Sequence, residues 1–246
     1  MGKDTAAVTT GLPELPPVFH PIIALREGGD ALRRAVEEAP RHGAGTLVWV
    51  RSLARVEMAV VLEPETPLAA ARPALFAAAS AFADAIGAYG PAEVPVSFGW
   101  PDRLRINAAE VGRARLACPP GTAEDAVPDW LVVGVEARLI FPKGWEPGHG
   151  LQQTALREEG WLEEDLSATD LTAGWARHLM SGLAEWQDPG RHGGFSRLAE
   201  RYLARLDVED WMGAARRGLD PATGALVLDQ DGARRLRPLA EALVAA

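Results

Sequence analysis

Gly99-Trp100-Pro101-Asp102-Arg103-Leu104-Arg105-Ile106-Asn107, followed by Val111-Gly112-Arg113-Ala114-Arg115-Leu116, is the stretch on which the reading of this chain turns. Each arm alternates polar and apolar residues, the pattern of a strand with one buried face. Asn107 to Glu110 lies between the arms and supplies a turn, so the pair reads as a β-hairpin. Arg103 and Arg105 share one face of the first arm, and Arg113 and Arg115 share one face of the second. If the two faces coincide, four guanidinium groups meet on one sheet surface. Like charges opposed across strands repel. A phosphate or carboxylate held bidentately between them relieves that repulsion. Charge runs are more often solvated faces with acidic neighbours, so both readings stand. Asp102 can orient one of the arginines, and Trp100 reads as core or as the floor of a pocket.

Working outward from the hairpin, the upstream chain reads as helix, two strands and helix. Residues 1–20 are polar, hold Pro13, Pro16 and Pro17, and read as a flexible N-terminal arm. A helix is expected from about Gly29 to Ala39, stopped by Pro40 and turned by Gly43-Ala44-Gly45. Thr46 to Arg51 and Met58 to Leu62 are β-rich runs. From Pro67 to Tyr89, Leu68, Leu75, Phe76, Ala79, Phe82, Ala83 and Ile86 follow helical spacing.

Downstream, Trp130 to Val135 is a continuous apolar run, extended by Leu139-Ile140-Phe141, and reads as a strand buried on both faces. Helices are expected over about Asp170–Trp186, with Thr169 as N-cap, and about Phe195–Leu206. A last hairpin, Ala225–Leu228 and Arg234–Leu236 around Asp231-Gly232, precedes a short helix from Leu239 to Ala246. The expected fold class is α+β. A mixed β-sheet packed by helices spans 21–208, and a small β-rich C-terminal unit spans 211–246.

The 246 residues are 48% hydrophobic, enough for a real core. Twenty-five basic residues against 34 acidic ones give a net charge of -9, which argues against nucleic-acid binding. The single cysteine, Cys118, excludes an internal disulfide and reads as a small core or strand-end residue. His20, His42, His149, His178 and His192 are scattered, and no metal-binding spacing occurs. No signal peptide or membrane-length apolar run is present, and Ala6 spoils a myristoylation motif. A bacterial-type cytoplasmic protein without membrane partners is the expectation. Lys3 and Lys143 are the only lysines.

Four segments, in order, resemble the biotin/lipoate A/B protein ligase family. Gly99 to Asn107 is similar to its Lys-Trp-Pro-Asn-Asp segment and hairpin. Val132-Val133-Gly134-Val135-Glu136-Ala137 is similar to its Val-Val-Ile-Gly-Ile-Gly-Ile-Asn strand. Gly193-Gly194-Phe195 to Tyr202 resembles its Gly-Phe…Tyr helix, and Gly218 to Leu236 its C-terminal β unit. The resemblance implies a class II synthetase-like core. It implies ATP and biotin or lipoate as substrates, with no tightly bound cofactor. The acid is joined to AMP, and the acyl group then passes to a lysine of a biotinyl- or acyl-carrier-type acceptor domain.

The chain departs from the family where the chemistry sits. Arg51-Ser52-Leu53-Ala54-Arg55-Val56-Glu57 occupies the place of the Gly-Arg-Gly-Arg-Arg-Gly loop and holds no glycine. Gly99 stands for the lysine, and Glu136 and Arg138 stand in the Gly-Ile-Asn end of the second strand. Cys118 lies before that strand, whereas related octanoyltransferases carry their cysteine after it. The candidate ligand-binding residues are therefore Arg51, Arg55, Trp100, Asp102, Arg103, Arg105, Arg113 and Arg115, with no catalytic residue assigned. Three functions remain open: a ligase-like enzyme, a non-catalytic binder of an acyl group, adenylate or carrier domain, and an interaction protein whose pocket is filled by its own side chains.

Overall fold

A computed structural model describes residues 11–245, apart from 92, 143, 146–149, 151 and 163–165. Strand β1 (Ile22–Leu25) leads to helix α1 (Ala31–His42), then to β2 (Leu47–Val50) and β3 (Arg55–Leu62). Helices α2 (Leu68–Ala71) and α3 (Ala74–Gly87) follow. Next come β4 (Val96–Gly99), β5 (Arg103–Ile106), β6 (Ala109–Ala117) and β7 (Leu131–Arg138). Helices α4 (Ala168–Gln187), α5 (Pro189–His192) and α6 (Gly194–Leu203) precede β8 (Arg216–Leu219), β9 (Leu226–Gln230), β10 (Ala233–Arg237) and α7 (Leu239–Ala245).

The expected α+β architecture is what forms. Seven strands make one sheet in the order β1-β2-β3-β7-β6-β5-β4, and β8, β9 and β10 make a small second one. The large sheet is mixed because β1 runs parallel to β2 while every other neighbouring pair is antiparallel.

One face of the large sheet carries the main core. Helix α3 is buried nearly all round, which suits its alanine-rich sequence and its place between sheet and neighbouring helices. Trp175 of α4 is fully buried and donates its indole N–H to the Ala78 carbonyl at 3.0 Å. Trp161 does the same to Ile86 at 2.9 Å, so both tryptophans enter the core without an orphaned donor. On the other face α1 packs Ala31, Ala35 and Ala39 against Val48, Val50, Ala59, Val61 and Val132. Those small residues let the helix lie close to the strands. Over β6 and β5 that same face carries charge.

Several boundaries moved for physical reasons. Pro40 lies inside α1 near its end, where one lost backbone bond is tolerated, and Gly43 closes the helix by donating to the Ala39 carbonyl at 3.0 Å. Pro73 divides the helix expected from Pro67 into α2 and α3. The N-cap of α4 is Ser167, which forms a capping box with Asp170, so Thr169 is inside the helix. The hairpin turns on two residues, Asn107 and Ala108, both with positive φ (50° and 67°), and β6 begins at once. Beyond Arg138 the strand ends, because the Leu139 and Ile140 N–H groups both turn to the Ala54 carbonyl.

The first and last described segments meet the main core. Leu12 and Leu15 pack against it and Phe19 is buried; residues 1–10 of the expected arm lie outside the described residues. Met212, Leu226, Leu228 and Leu239 belong to the same apolar cluster as α3. Among the described residues no helix is long and apolar enough to cross a membrane.

Candidate functional site

Strand register lays a row of charge across the large sheet on its α1 side. Glu57 stands opposite Glu136, Glu136 opposite Arg113, Arg113 opposite Arg103, and Arg103 opposite Gly99. Like charges face each other twice in that row, which is unfavourable in isolation. Diagonal partners compensate. Arg115 reaches Glu136 at 3.0 Å and Asp30 at 3.2 Å, and lies 3.6 Å from Glu57. Arg55 donates from Nε to Glu57 at 2.9 Å and from Nη2 to the Gly29 carbonyl at 2.7 Å.

Glu57 ties this lattice to α1. Its side chain is buried, and its Oε1 accepts the Ala31 N–H at 2.7 Å. That N–H is an orphan donor of the first helical turn, so a carboxylate is favoured there. Asp30, the N-cap, accepts from the Arg33 N–H at 2.8 Å. Burial pushes the Asp30 carboxyl up, but the Arg33 N–H and the Arg115 guanidinium outweigh it and hold it below its ordinary value.

The remaining arginines are engaged to different degrees. Arg103 donates to Glu110 at 2.8 Å and lies 3.5 Å from Asp102. Arg105, on the same face of β5 as Arg103, pairs with Asp207 at 3.1 Å and Glu209 at 3.0 Å. Arg138 donates to the backbone carbonyls of Thr154 and Glu110, and burial lowers its pKa. Arg113 is the least held: 40% exposed, with Glu136 at 3.7 Å. Asp102 is buried, and its Oδ1 has no hydrogen bond among the described residues. Burial pushes its carboxyl up, against the pull of Arg103 and Arg113.

Gly99 closes the row. A Cβ on Gly99 would stand 2.8 Å from both Cζ and Nη2 of Arg105. The position at which the resemblance implies a lysine is thus covered by an arginine already bound to two carboxylates.

Two cavities flank the lattice. One, about 440 Å³, lies at the end of β2 between Trp49, Arg51, Ser52, Leu53, Glu27 and the start of α4. Trp49 is 2% exposed, and its Nε1 has no hydrogen-bond partner among the described residues. Arg51 is exposed and forms no ion pair among them. The loop keeps its shape without glycine because Ser52 Oγ accepts the N–H groups of Ala54 and Arg55, both at 3.0 Å, while donating to Glu27 at 2.5 Å. The other cavity, about 700 Å³, opens between the turn at Trp100 and the small sheet.

The eight candidate residues therefore fall in three places. Arg55, Asp102, Arg103, Arg105, Arg113 and Arg115 belong to the ion-pair network, Arg51 to the smaller cavity and Trp100 to the larger. Sequence reading missed Glu57, Asp30 and Glu110, the carboxylates that neutralise the arginines, and Trp49. Glu57 had a visible signal, its alternation with Arg55 along one strand. Asp30 and Trp49 had none, since their partners are distant in sequence. Among the described residues no group of three or more His, Cys, Asp or Glu is placed to hold a metal.

The sequence profile described as the biotin/lipoate A/B protein ligase family matches residues 15–204. No curated protein is significantly similar in sequence. A biotin protein ligase-like protein of unknown function from a Silicibacter species is 32% identical, with a TM-score of 0.77 over 94% of this chain and 98% of that one. The apo biotin protein ligase of Aquifex aeolicus is 13% identical, with a TM-score of 0.65 over 87% of this chain and 94% of its own. The Leishmania major biotin protein ligase in complex with biotinyl-5-AMP is 16% identical, with a TM-score of 0.55 over 90% and 99%. At such identities the last two establish likeness of fold.

Proposed function

The chain belongs to the biotin/lipoate A/B protein ligase family, and from that premise we propose that it binds a small acyl acid without converting it to an adenylate. The observation that carries this reading is Arg105 over Gly99. A lysine there would act as a point charge on the developing acyl phosphate, but Gly99 has no side chain and Arg105 fills the space while held by Asp207 and Glu209. Glu57 and Glu136 add negative charge on the same face, which opposes a phosphate.

The acid itself fits the smaller cavity. Arg51, without an ion pair among the described residues, offers a guanidinium for a carboxylate, and Trp49, Leu53 and Ala168 give an apolar wall. Glu27, on the same rim, is occupied by Ser52 Oγ and lies 3.8 Å from Arg55.

Two measurements test the proposal. ATP–pyrophosphate exchange with biotin, lipoate or octanoate should stay at the blank. One of these acids should raise the melting temperature, because a ligand at about 100 times its Kd stabilises the native state by roughly 2.7 kcal/mol. That shift should vanish in Arg51→Ala. Exchange above the blank would overturn the non-catalytic half; no shift with any acid would overturn the binding half.

The competing reading is full ATP-dependent ligation to a lysine of a carrier domain. It draws on the family membership and on Arg113, whose loosely held guanidinium is open to a phosphate. Acid-dependent exchange would establish it.

A further inference from the structure

The larger cavity is separate from the Arg51 pocket and meets the charged lattice at Arg103 and Glu209. It is about 700 Å³, within the usual range of small-molecule sites, roughly 300–1,000 Å³. One wall is the turn at Trp100 and Pro101; the other is Trp211 with Leu236 and Arg237 at the end of β10. The cleft lies where Leu236 to Ala242 come up to Trp100 and Pro101.

Three observations define its chemistry. Trp100 Nε1 is buried and has no acceptor among the described residues, and a buried donor of that kind calls for a partner. Trp211 is fixed: its Nε1 donates to Glu209 Oε2 at 2.5 Å, while Glu209 Oε1 accepts from Arg105 at 3.0 Å. Arg237 lies over the Trp211 ring, 5.1 Å from its centroid, and makes no ion pair among the described residues. Arg103, at the inner end, is already committed to Glu110. Among the described residues Arg237 is thus without an ion pair, and it stands above an apolar surface that includes Leu236, 54% exposed. Glu241 stands exposed on the rim and repels ligands of high negative charge.

We propose that this cleft binds a small organic monoanion with a flat apolar body. The body lies along Trp211 and Leu236 beside Trp100, and an anionic oxygen meets Arg237. The site is independent of the acyl-acid reading, which concerns Arg51 and Trp49.

The test is to follow the indole N–H signals of the full chain by ¹H–¹⁵N spectroscopy during titration with 2-naphthoate and, in parallel, with neutral 2-naphthamide. Single Trp→Phe variants assign the signals of Trp49, Trp100 and Trp211. The naphthoate should move the Trp100 and Trp211 signals saturably. The amide should bind about tenfold more weakly, and so should naphthoate to Arg237→Ala, because the charge-assisted contact is lost in both. Arg237 is exposed, so its removal should leave the other indole signals in place. Unmoved Trp100 and Trp211 signals, or equal affinity for amide and acid or for Arg237→Ala and parent, would overturn the proposal. Movement of the Trp49 signal reports the Arg51 pocket alone, so the two sites fail separately.

Discussion

The guanidinium of Arg105 occupies the space into which any side chain at Gly99 would grow, 2.8 Å from the position of its Cβ. Restoring the family's lysine by Gly99→Lys therefore pushes Arg105 off Asp207 and Glu209. All three are about a quarter exposed, so the loss should be about 1 kcal/mol, read as a lower urea midpoint. Acid-dependent exchange should not appear. Undiminished stability would show that Arg105 has no need of that space.

Glu57→Ala leaves the Ala31 N–H, Arg55 and Arg115 without their shared buried carboxylate. Removing one side of a buried charged cluster should cost about 3 kcal/mol, with faster amide exchange at the start of α1. A loss below about 0.5 kcal/mol would put Glu57 in the class of surface charges.

Asp102 predicts a pH dependence. Its carboxyl is raised above the ordinary 3.8 by burial. Such a group favours folding when protonated and loses that contribution as pH rises through its folded pKa. Asp102→Asn should therefore be more stable than the parent at neutral pH, with the gap closing as pH falls below the unfolded value. A gap equal at both ends of a thermal-melt series would refute this.

Gly224 has φ +67°, and a Cβ there would come within 2.9 Å of both Leu239 Cδ2 and Pro73 Cγ. Gly224→Ala should push the small sheet from α3 and cost about 1–3 kcal/mol. If α3 and the small sheet then melt in one transition, observed by far- and near-ultraviolet dichroism together, the two share their cooperativity. A neutral Gly224→Ala would mean the contact yields freely.

The elements legible in the sequence were those with internal periodicity. The hairpin at Arg103–Leu116, the apolar strand at Trp130–Val135 and the apolar helix containing Phe76 and Phe82 each announce themselves within a few residues. Strands β1 and β4 did not, being four residues long and defined by their neighbours. The site shows the same division. The alternation of arginines was visible, and Arg103 does stand directly opposite Arg113. Their neutralisation was invisible, because Asp30 is 85 residues from Arg115, and Asp207 is 102 from Arg105. The register shift at Leu104/Arg105 has no marker in the sequence either.

The lattice of Glu57, Glu136, Arg55 and Arg115 also constrains the history open to this protein. Every member answers to at least one other, so a single substitution to glycine or asparagine strands a charge in a half-buried place. The effects of such changes are strongly non-additive. Sequences without the arrangement are therefore reached from this one only by several changes at once, each harmful alone. The sheet face resists piecemeal change while permitting concerted replacement.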